Sequence, residues 1–568
     1  MSLAALVLVT IAIFALAYLA YGRLLTRLFA LDPAATTPAH ARRDGADFVP
    51  TSRFYLLSQH FSAISAAGPI AGPILACTDF GWQPALLWIV LGCILIGAMH
   101  DFAALVGSVR HRACSVAEIL KQHLNARTYA AFTLYIWLAL VYVIVAFTDI
   151  TARAFVEDLP LAAGRAIPGA GVATASMLYL GLALAMGLTV RRLQPSLRVT
   201  TLVFVPLVGL AIWAGPHLPF ELKAPGSVPS LYWAYAILAY CGVASLLPVW
   251  LLLQPRGYLG GVFLYVTLVG GLLGLLVQNP EVRFAGFKGF FAANGQPLLP
   301  FLFITIACGA CSGFHGLVCS GTTSKQIDKE PDAHLVGYGG MLLEGVVAVL
   351  ALACVMILPA GDAVLQGGAD KIFGWGVGNF LHALGVPLEF ALTFAMLAFA
   401  TFVYDTLDVC TRLARYLFCE FTGWRGRIAG TVATLVTLAL PAWFVSQTVV
   451  QNGRTVPAYR VIWPLFGSTN QLLAGLTLVG LLLWLVRTGK PRLLRWLVGV
   501  PMLFMMLNTV SALVLQITAR DAPAPIIGVG ILLLGLALWI AGEGAVALAR
   551  KHPDPARSRR YPAPPACS

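Results

Sequence analysis

The segment FLFITIACGACSGFHGLVCSGTTSKQID, Phe301 to Asp328, decides the fold. Its first part is apolar enough to enter a bilayer. Midway it gives way to Gly309, Gly313, His315, Gly316, Ser320, Gly321, Thr322 and Thr323, which weaken a helix and introduce polar groups. In lipid a broken helix is tolerated only where it is buried in protein or lines a cavity. Secondary transporters commonly build their substrate sites from such interrupted helices.

The composition leads to the same class. Of 568 residues, 59% are hydrophobic and only 11% charged, with a mean hydropathy of +0.84, whereas soluble domains carry about 25% charged residues. The chain therefore reads as a polytopic membrane protein whose first partner is the lipid bilayer. The formal charge of +13 is spread between apolar runs rather than gathered on one basic module, so no nucleic-acid partner is expected. Of the eleven cysteines most lie in or beside apolar runs. Cys308 and Cys311 form a lone CxxC without the second pair that a zinc site would need.

Windows of about 20 apolar residues predict an all-α bundle of about fifteen transmembrane helices. They lie near 2–21, 54–79, 84–108, 129–155, 172–190, 199–216, 231–253, 258–278, 298–320, 336–359, 388–418, 428–448, 460–486, 496–519 and 524–549. Alternate connections are basic, from Arg23, Arg27, Arg42 and Arg43 through Arg110 and Arg112, Arg191 and Arg192, Arg256, Lys325 and Lys329, to Arg487 and Lys490. By the positive-inside rule the N-terminus is expected outside and the C-terminus in the cytoplasm. The Pro- and Arg-rich tail from His552 reads as disordered.

The second span is interrupted too. It reads FYLLSQHFSAISAAGPIAGPILACTDF, with Gly68, Pro69, Gly72 and Pro73 in mid-span, and it crosses opposite to the ninth. His60 precedes Ser65 by five residues, as His315 precedes Ser320. This pattern predicts an inverted repeat: 1–52 as an N-terminal helix and connection, 53–217 and 298–486 as the repeats, 218–297 as linking helices, 487–549 as C-terminal helices and 550–568 as a tail. The breaks are expected near Gly68 to Pro73 and Ser320 to Thr323, facing each other across a cavity.

Ionisable groups at membrane depth are functional candidates. His60 and His315 stand beside the breaks. Asp101 lies nine residues from Arg110, about 13 Å along a helix, too deep to reach water by snorkelling. His100 is a less secure candidate, pointing about 100° away. Ser65, Gly68, Ser320, Thr322, Thr323 and Asn470 complete the candidate set for substrate binding or coupling. Glu344, Asp405 and Asp408 are structural or coupling carboxylates. Asp408 with Arg412, and Asp149 with Arg153, have the i,i+4 spacing of local ion pairs. WPLFGSTNQLLAG at Trp463 to Gly475 puts Ser468, Thr469, Asn470 and Gln471 in an apolar helix, where they must face a partner helix or the cavity. A metal held by His60, His315 and a carboxylate is left open, and no organic cofactor is expected. Walker, HExxH, GxSxG and CxxCH motifs are missing from the sequence, so neither a primary pump nor an enzyme is expected.

At these segments the chain resembles the carbon starvation protein A family of bacterial inner-membrane transporters. The matching blocks run from Asp44 (DGADFVPTSRFYLLSQHFSAISAAGPIAGPILA), Gly97 (GAMHDF), Leu247 (LPVWLLLQPRGYL), Phe301, Gly337 (GYGGMLLE), Leu407 (LDVCTRLARY) and Trp463. The resemblance implies the LeuT-like inverted repeats of the amino-acid, polyamine and organocation superfamily. It also implies import of peptides or pyruvate into the cell with the proton as coupling ion. Ser58, Gln59, His60 and Phe61 stand where many members have GHHF, so only the second histidine carries over; His100 replaces a frequent glutamine, and Asp405 is an addition beside Asp408. A transporter-like nutrient sensor or receptor is the alternative, and the oligomeric state is not legible.

Overall fold

A computed structural model of the chain describes residues 2–550 apart from 45–47, 66, 161–165, 223–228, 249, 448, 452–453, 457 and 520–523. The tail from His552, expected to be disordered, lies outside the described residues. Among these residues twelve helices are long and apolar enough to cross a membrane, and the bent pair Arg53–Ile64 and Gly68–Phe80 makes a thirteenth span. Each of the fifteen sequence windows carries helix. The remaining two fall short of, or only just reach, spanning length: the ninth is cut into helices of 8 and 9 residues, and Pro229–Leu246 has 18. Two small antiparallel hairpins, Leu159–Pro160 with Ala166–Ile167 and Val449–Gln451 with Arg454–Val456, are the strands among the described residues.

Ala369–Ala383 is a helix that the sequence reading missed. Its fifteen residues include Asp370, Lys371, Asn379 and His382, so a 20-residue apolar window passes over it. Helix Leu388–Thr422 and helix Leu253–Gln278 both pack against it.

Both spans are broken, but not where expected. The first unwinds at Ser65, with helix resuming at Gly68. Pro69 falls in the new helix's first turn, where its missing N–H has no intrahelical acceptor to lose, and Pro73 is accommodated within the helix. The second span unwinds from Ile306 to Ser312, and Ser320 lies inside the helix Gly313–Gly321. A short 3-10 turn, Thr323–Lys325, follows.

The breaks pack directly on each other at Gly68 and Gly72. A methyl group added at Gly68 would lie 2.4 Å from Cys308 Sγ, and one at Gly72 would lie 2.5 Å from the carbonyl oxygen of Thr305. Only glycine permits that approach. A narrow crevice lies between Ala126–Ala154, Gly313–Gly321 and Ala458–Arg487, lined among others by Leu140, Phe314, Phe466 and Asn470.

Candidate functional site

Two helices that carry buried acids begin with a π-helical turn. Cys93–Gly97 precedes Ala98–Arg110, the helix of His100 and Asp101, and His334–Gly339 precedes Gly340–Met356, the helix of Glu344. Such turns are rare and frequently mark functional sites. The first one embraces the second break: the Cys93 thiol donates to the Gly309 carbonyl at 3.1 Å, and a methyl at Gly97 would lie 2.3 Å from the Ala310 oxygen.

Directly below this contact four side chains meet, each 0% exposed: His100, Asp101, His315 and Glu344. Asp101 Oδ1 is 2.8 Å from His100 Nδ1, and its Oδ2 is 2.8 Å from His315 Nδ1. A carboxylate only accepts, so an ionised Asp101 draws a hydrogen to Nδ1 of both rings. That leaves Nε2 of His315 facing Glu344 Oε2 at 3.1 Å. The pair is close without the alignment of a hydrogen bond, and both Glu344 oxygens, like Nε2 of His315 and of His100, lack a hydrogen-bond partner among the described residues. A proton between His315 and Glu344 can sit on the ring or on the carboxyl. Three elements thus meet in a chain whose charge is set by the protons it holds.

The other candidates are distributed around this chain. His60 is not part of it: its Nδ1 bonds Thr323 Oγ1 at 2.9 Å and its Nε2 lies 4.0 Å from Cys319 Sγ. His60 therefore ties the arm Arg53–Ile64 to the end of the second broken span. Ser65, at the first break, is 1% exposed and its hydroxyl has no partner among the described residues. The helix that follows at Gly68 has no side-chain cap. Ser320 donates to the Gly316 carbonyl at 2.7 Å and accepts from the Val116 N–H at 3.2 Å. Thr322 donates to the Val318 carbonyl. Among the described residues no group of three His, Cys, Asp or Glu is arranged to hold a metal ion, and His60 and His315 are engaged with different partners.

Asn470 holds the second break in place. Its Oδ1 accepts from the Phe314 N–H at 2.9 Å, and its Nδ2 donates to Ser312 Oγ at 3.0 Å and Cys308 Sγ at 3.1 Å. It caps, from another helix, the N-terminus that Ser312 leaves without a side-chain bond. Its neighbours also face partner groups: Ser468 accepts from Gln516, and Gln471 donates to the Phe303 carbonyl while accepting from Asn508 and Thr509.

Asp408 does not pair with Arg412, whose guanidinium binds the carbonyls of Ala244 and Leu247. Its partner is Arg256, read from the sequence as a loop charge but 0% exposed in helix Leu253–Gln278 and also 3.1 Å from Asp405. Asp149 and Arg153 do form their i,i+4 contact, at 3.3 Å.

At the basic end of helix Ala98–Arg110, Arg110 grips Glu330 with two bonds of 2.7 and 3.1 Å. Glu330 also accepts from the Asp32 N–H at 2.8 Å. Nearby, burial holds the Lys490 amine below its ordinary range, with Arg110 adding to the effect and Glu330 opposing it.

Interrupted spans packed on one another beside a buried acid–imidazole chain define a secondary membrane transporter with LeuT-like inverted repeats and broken helices. The fold is shared with a manganese transporter from Eremococcus coleocola, at a TM-score of 0.51 and 13% identity, over 89% of this chain and 98% of that one. The chain belongs to the family described as Carbon starvation protein CstA, which matches residues 2–366 and 359–512. It is 32% identical to the peptide transporter CstA of Campylobacter jejuni, over 89% of this chain and 79% of that protein. It is 29% identical to the pyruvate/proton symporter BtsT of Escherichia coli, over 91% and 82%. It is a transporter, not an enzyme.

Proposed function

We propose that the chain imports peptides or small carboxylates such as pyruvate across the bacterial inner membrane, with protons as the coupling ion and with 53–217 and 298–486 as the two inverted repeats. The observation that carries the reading is the chain from Asp101 through His315 to Glu344. Its only cationic members are histidines, so its charge changes as protons come and go. Because His315 sits on the half-helix that starts at the second break, a change of charge there acts on the element that has to move. The related proteins named for peptide and for pyruvate/proton transport agree with this substrate class.

The first break supplies the complementary half. A carboxylate, common to pyruvate and peptides, would be received by the helix start at Gly68, which has no side-chain cap, and by the unpartnered Ser65 hydroxyl once the two packed breaks part, because helix N-termini present N–H groups and a positive dipole end. Alternating access requires the Arg110–Glu330 contact, on the basic and hence cytoplasmic side, to part when the site opens inward. The N-terminus then lies outside and the C-terminus in the cytoplasm.

Reconstituted vesicles test this with labelled pyruvate and short peptides under an imposed proton or sodium gradient. Accumulation of at least one of these substrates is expected to follow the proton gradient. Uptake that ignored protons and followed sodium would contradict the coupling ion, and a protein that moved none of these substrates would contradict their class.

A further inference from the structure

A second buried charge cluster lies apart from the chain just described. Arg256 Nε is 3.1 Å from Asp405 Oδ1, and its Nη1 contacts Asp408 Oδ2. The Tyr240 hydroxyl donates to Asp408 Oδ2 at 2.8 Å, and the Ser62 hydroxyl donates to Asp405 Oδ2 at 3.1 Å. The guanidinium also faces the rings of Tyr240 and Tyr404 at 5.6 and 5.2 Å. Gly260 leaves the room that Asp405 occupies, for a methyl there would lie 2.4 Å from Oδ2.

The charges do not balance. One permanent cation meets two carboxylates, which leaves one negative charge in surplus among buried groups, an expensive state unless something neutralises it. Among the described residues Arg256 is the cation paired with Asp405 and Asp408. Tyr179, Tyr240, Tyr404 and Cys241 are neutral in their ordinary forms, and Arg412, one turn beyond Asp408 and two beyond Asp405, has its guanidinium on the Ala244 and Leu247 carbonyls rather than on either carboxylate. Asp408 Oδ1 and Arg256 Nη2 have no partner among the described residues, so the cluster has unused capacity. Asp405 is the member with some exposure, 7% against 0% and 3% for Arg256 and Asp408.

We propose that Asp405 is a second proton-binding site of the transport cycle, separate from the Asp101–His315–Glu344 chain. The step is the addition of a proton from the aqueous phase to the Asp405 carboxylate, giving a neutral carboxyl, and its later return to water. Protonation removes the surplus charge and weakens the Arg256–Asp405 pair. It also changes what Ser62 meets, since a carboxyl can donate where a carboxylate only accepts. Ser62 lies three residues before Ser65, so this change acts on the arm leading into the first break.

The inference rests on the proton-coupled reading above, but one readout needs no substrate. Difference infrared spectra of the full-length protein in lipid vesicles, taken between acid and alkaline buffer, report the C=O stretch of buried carboxylic acids. The parent is expected to show a titrating band that Asp405→Asn loses and that Asp405→Glu restores at a displaced frequency. Glu344→Gln in parallel identifies any band from the other chain. With pH dye and labelled substrate, Asp405→Asn is expected to move one proton fewer per substrate than the parent. An unchanged band in Asp405→Asn, or an undisplaced one in Asp405→Glu should the first variant fail to fold, would overturn the proposal. Should the parent move no protons with substrate, the transport reading would fail, while the infrared result would still decide whether Asp405 binds a proton.

Discussion

The two buried charge clusters differ in the kind of cation that each contains. In the cluster beside the second break the positive partners of Asp101 and Glu344 are histidines, which gain or lose charge with a proton. In the other, Asp405 and Asp408 share an arginine that stays charged at any physiological pH. The first cluster can be emptied of charge by proton exchange, and the second keeps a fixed core around which at most one proton is exchanged. Their positions fit the contrast. The histidine cluster bears on a half-helix, whereas the arginine cluster joins two long continuous helices to the arm of the first broken span.

Removing the fixed cation should therefore have the largest effect. Arg256→Leu would leave two carboxylates buried with no counter-charge, at about 3–5 kcal/mol for a broken buried pair. We expect a sharp fall in thermal stability of the purified protein, partly recovered when Asp405 and Asp408 are also made apolar. Stability close to the parent's would show that the arginine is not the structural centre of its cluster.

Asn470→Ala should come next. It removes the cap from Gly313–Gly321 and leaves the buried Phe314 N–H and Ser312 hydroxyl short of partners, at about 1–3 kcal/mol. Weakened substrate uptake is expected together with a lower unfolding temperature, because the break that carries His315 loses its anchor. Thr323→Val is the mildest change. It removes the neutral bond to His60, worth about 1 kcal/mol, and should lower stability slightly while leaving proton-driven uptake in place, since His60 stands outside the Asp101 chain.

Hydropathy made the long spans legible because a bilayer imposes a length and a composition on each of them. Ala369–Ala383 escaped because it is short and polar. The break positions were misplaced for a local reason: Gly and Pro mark a weak helix, but Pro69 and Pro73 fit inside the helix that starts at Gly68, and the second break is fixed by Asn470, some 160 residues away in sequence. His315 and Asp101 were recognisable as intramembrane ionisable groups, yet their contact joins distant segments. Arg256 is the clearest case. QPRGY between two apolar runs reads as a loop, and only the packing of helix Leu253–Gln278 against Leu388–Thr422 places its guanidinium between two aspartates. His100 was discounted for its direction on the helix, though the adjacent Asp101 carboxylate lies within reach of its Nδ1.

The central claim, that Asp101, His315 and Glu344 carry the coupling proton, is tested most directly with Glu344→Gln in vesicles. Proton entry and labelled-substrate entry would be recorded together, alongside exchange of labelled for unlabelled substrate with no gradient. Gln fills the volume of Glu344 but cannot take up or release the proton that faces His315 Nε2. The account predicts that exchange persists while proton-driven accumulation falls at least tenfold, about 1.4 kcal/mol of lost coupling. Accumulation at the parent's level, with the same number of protons per substrate, would contradict it.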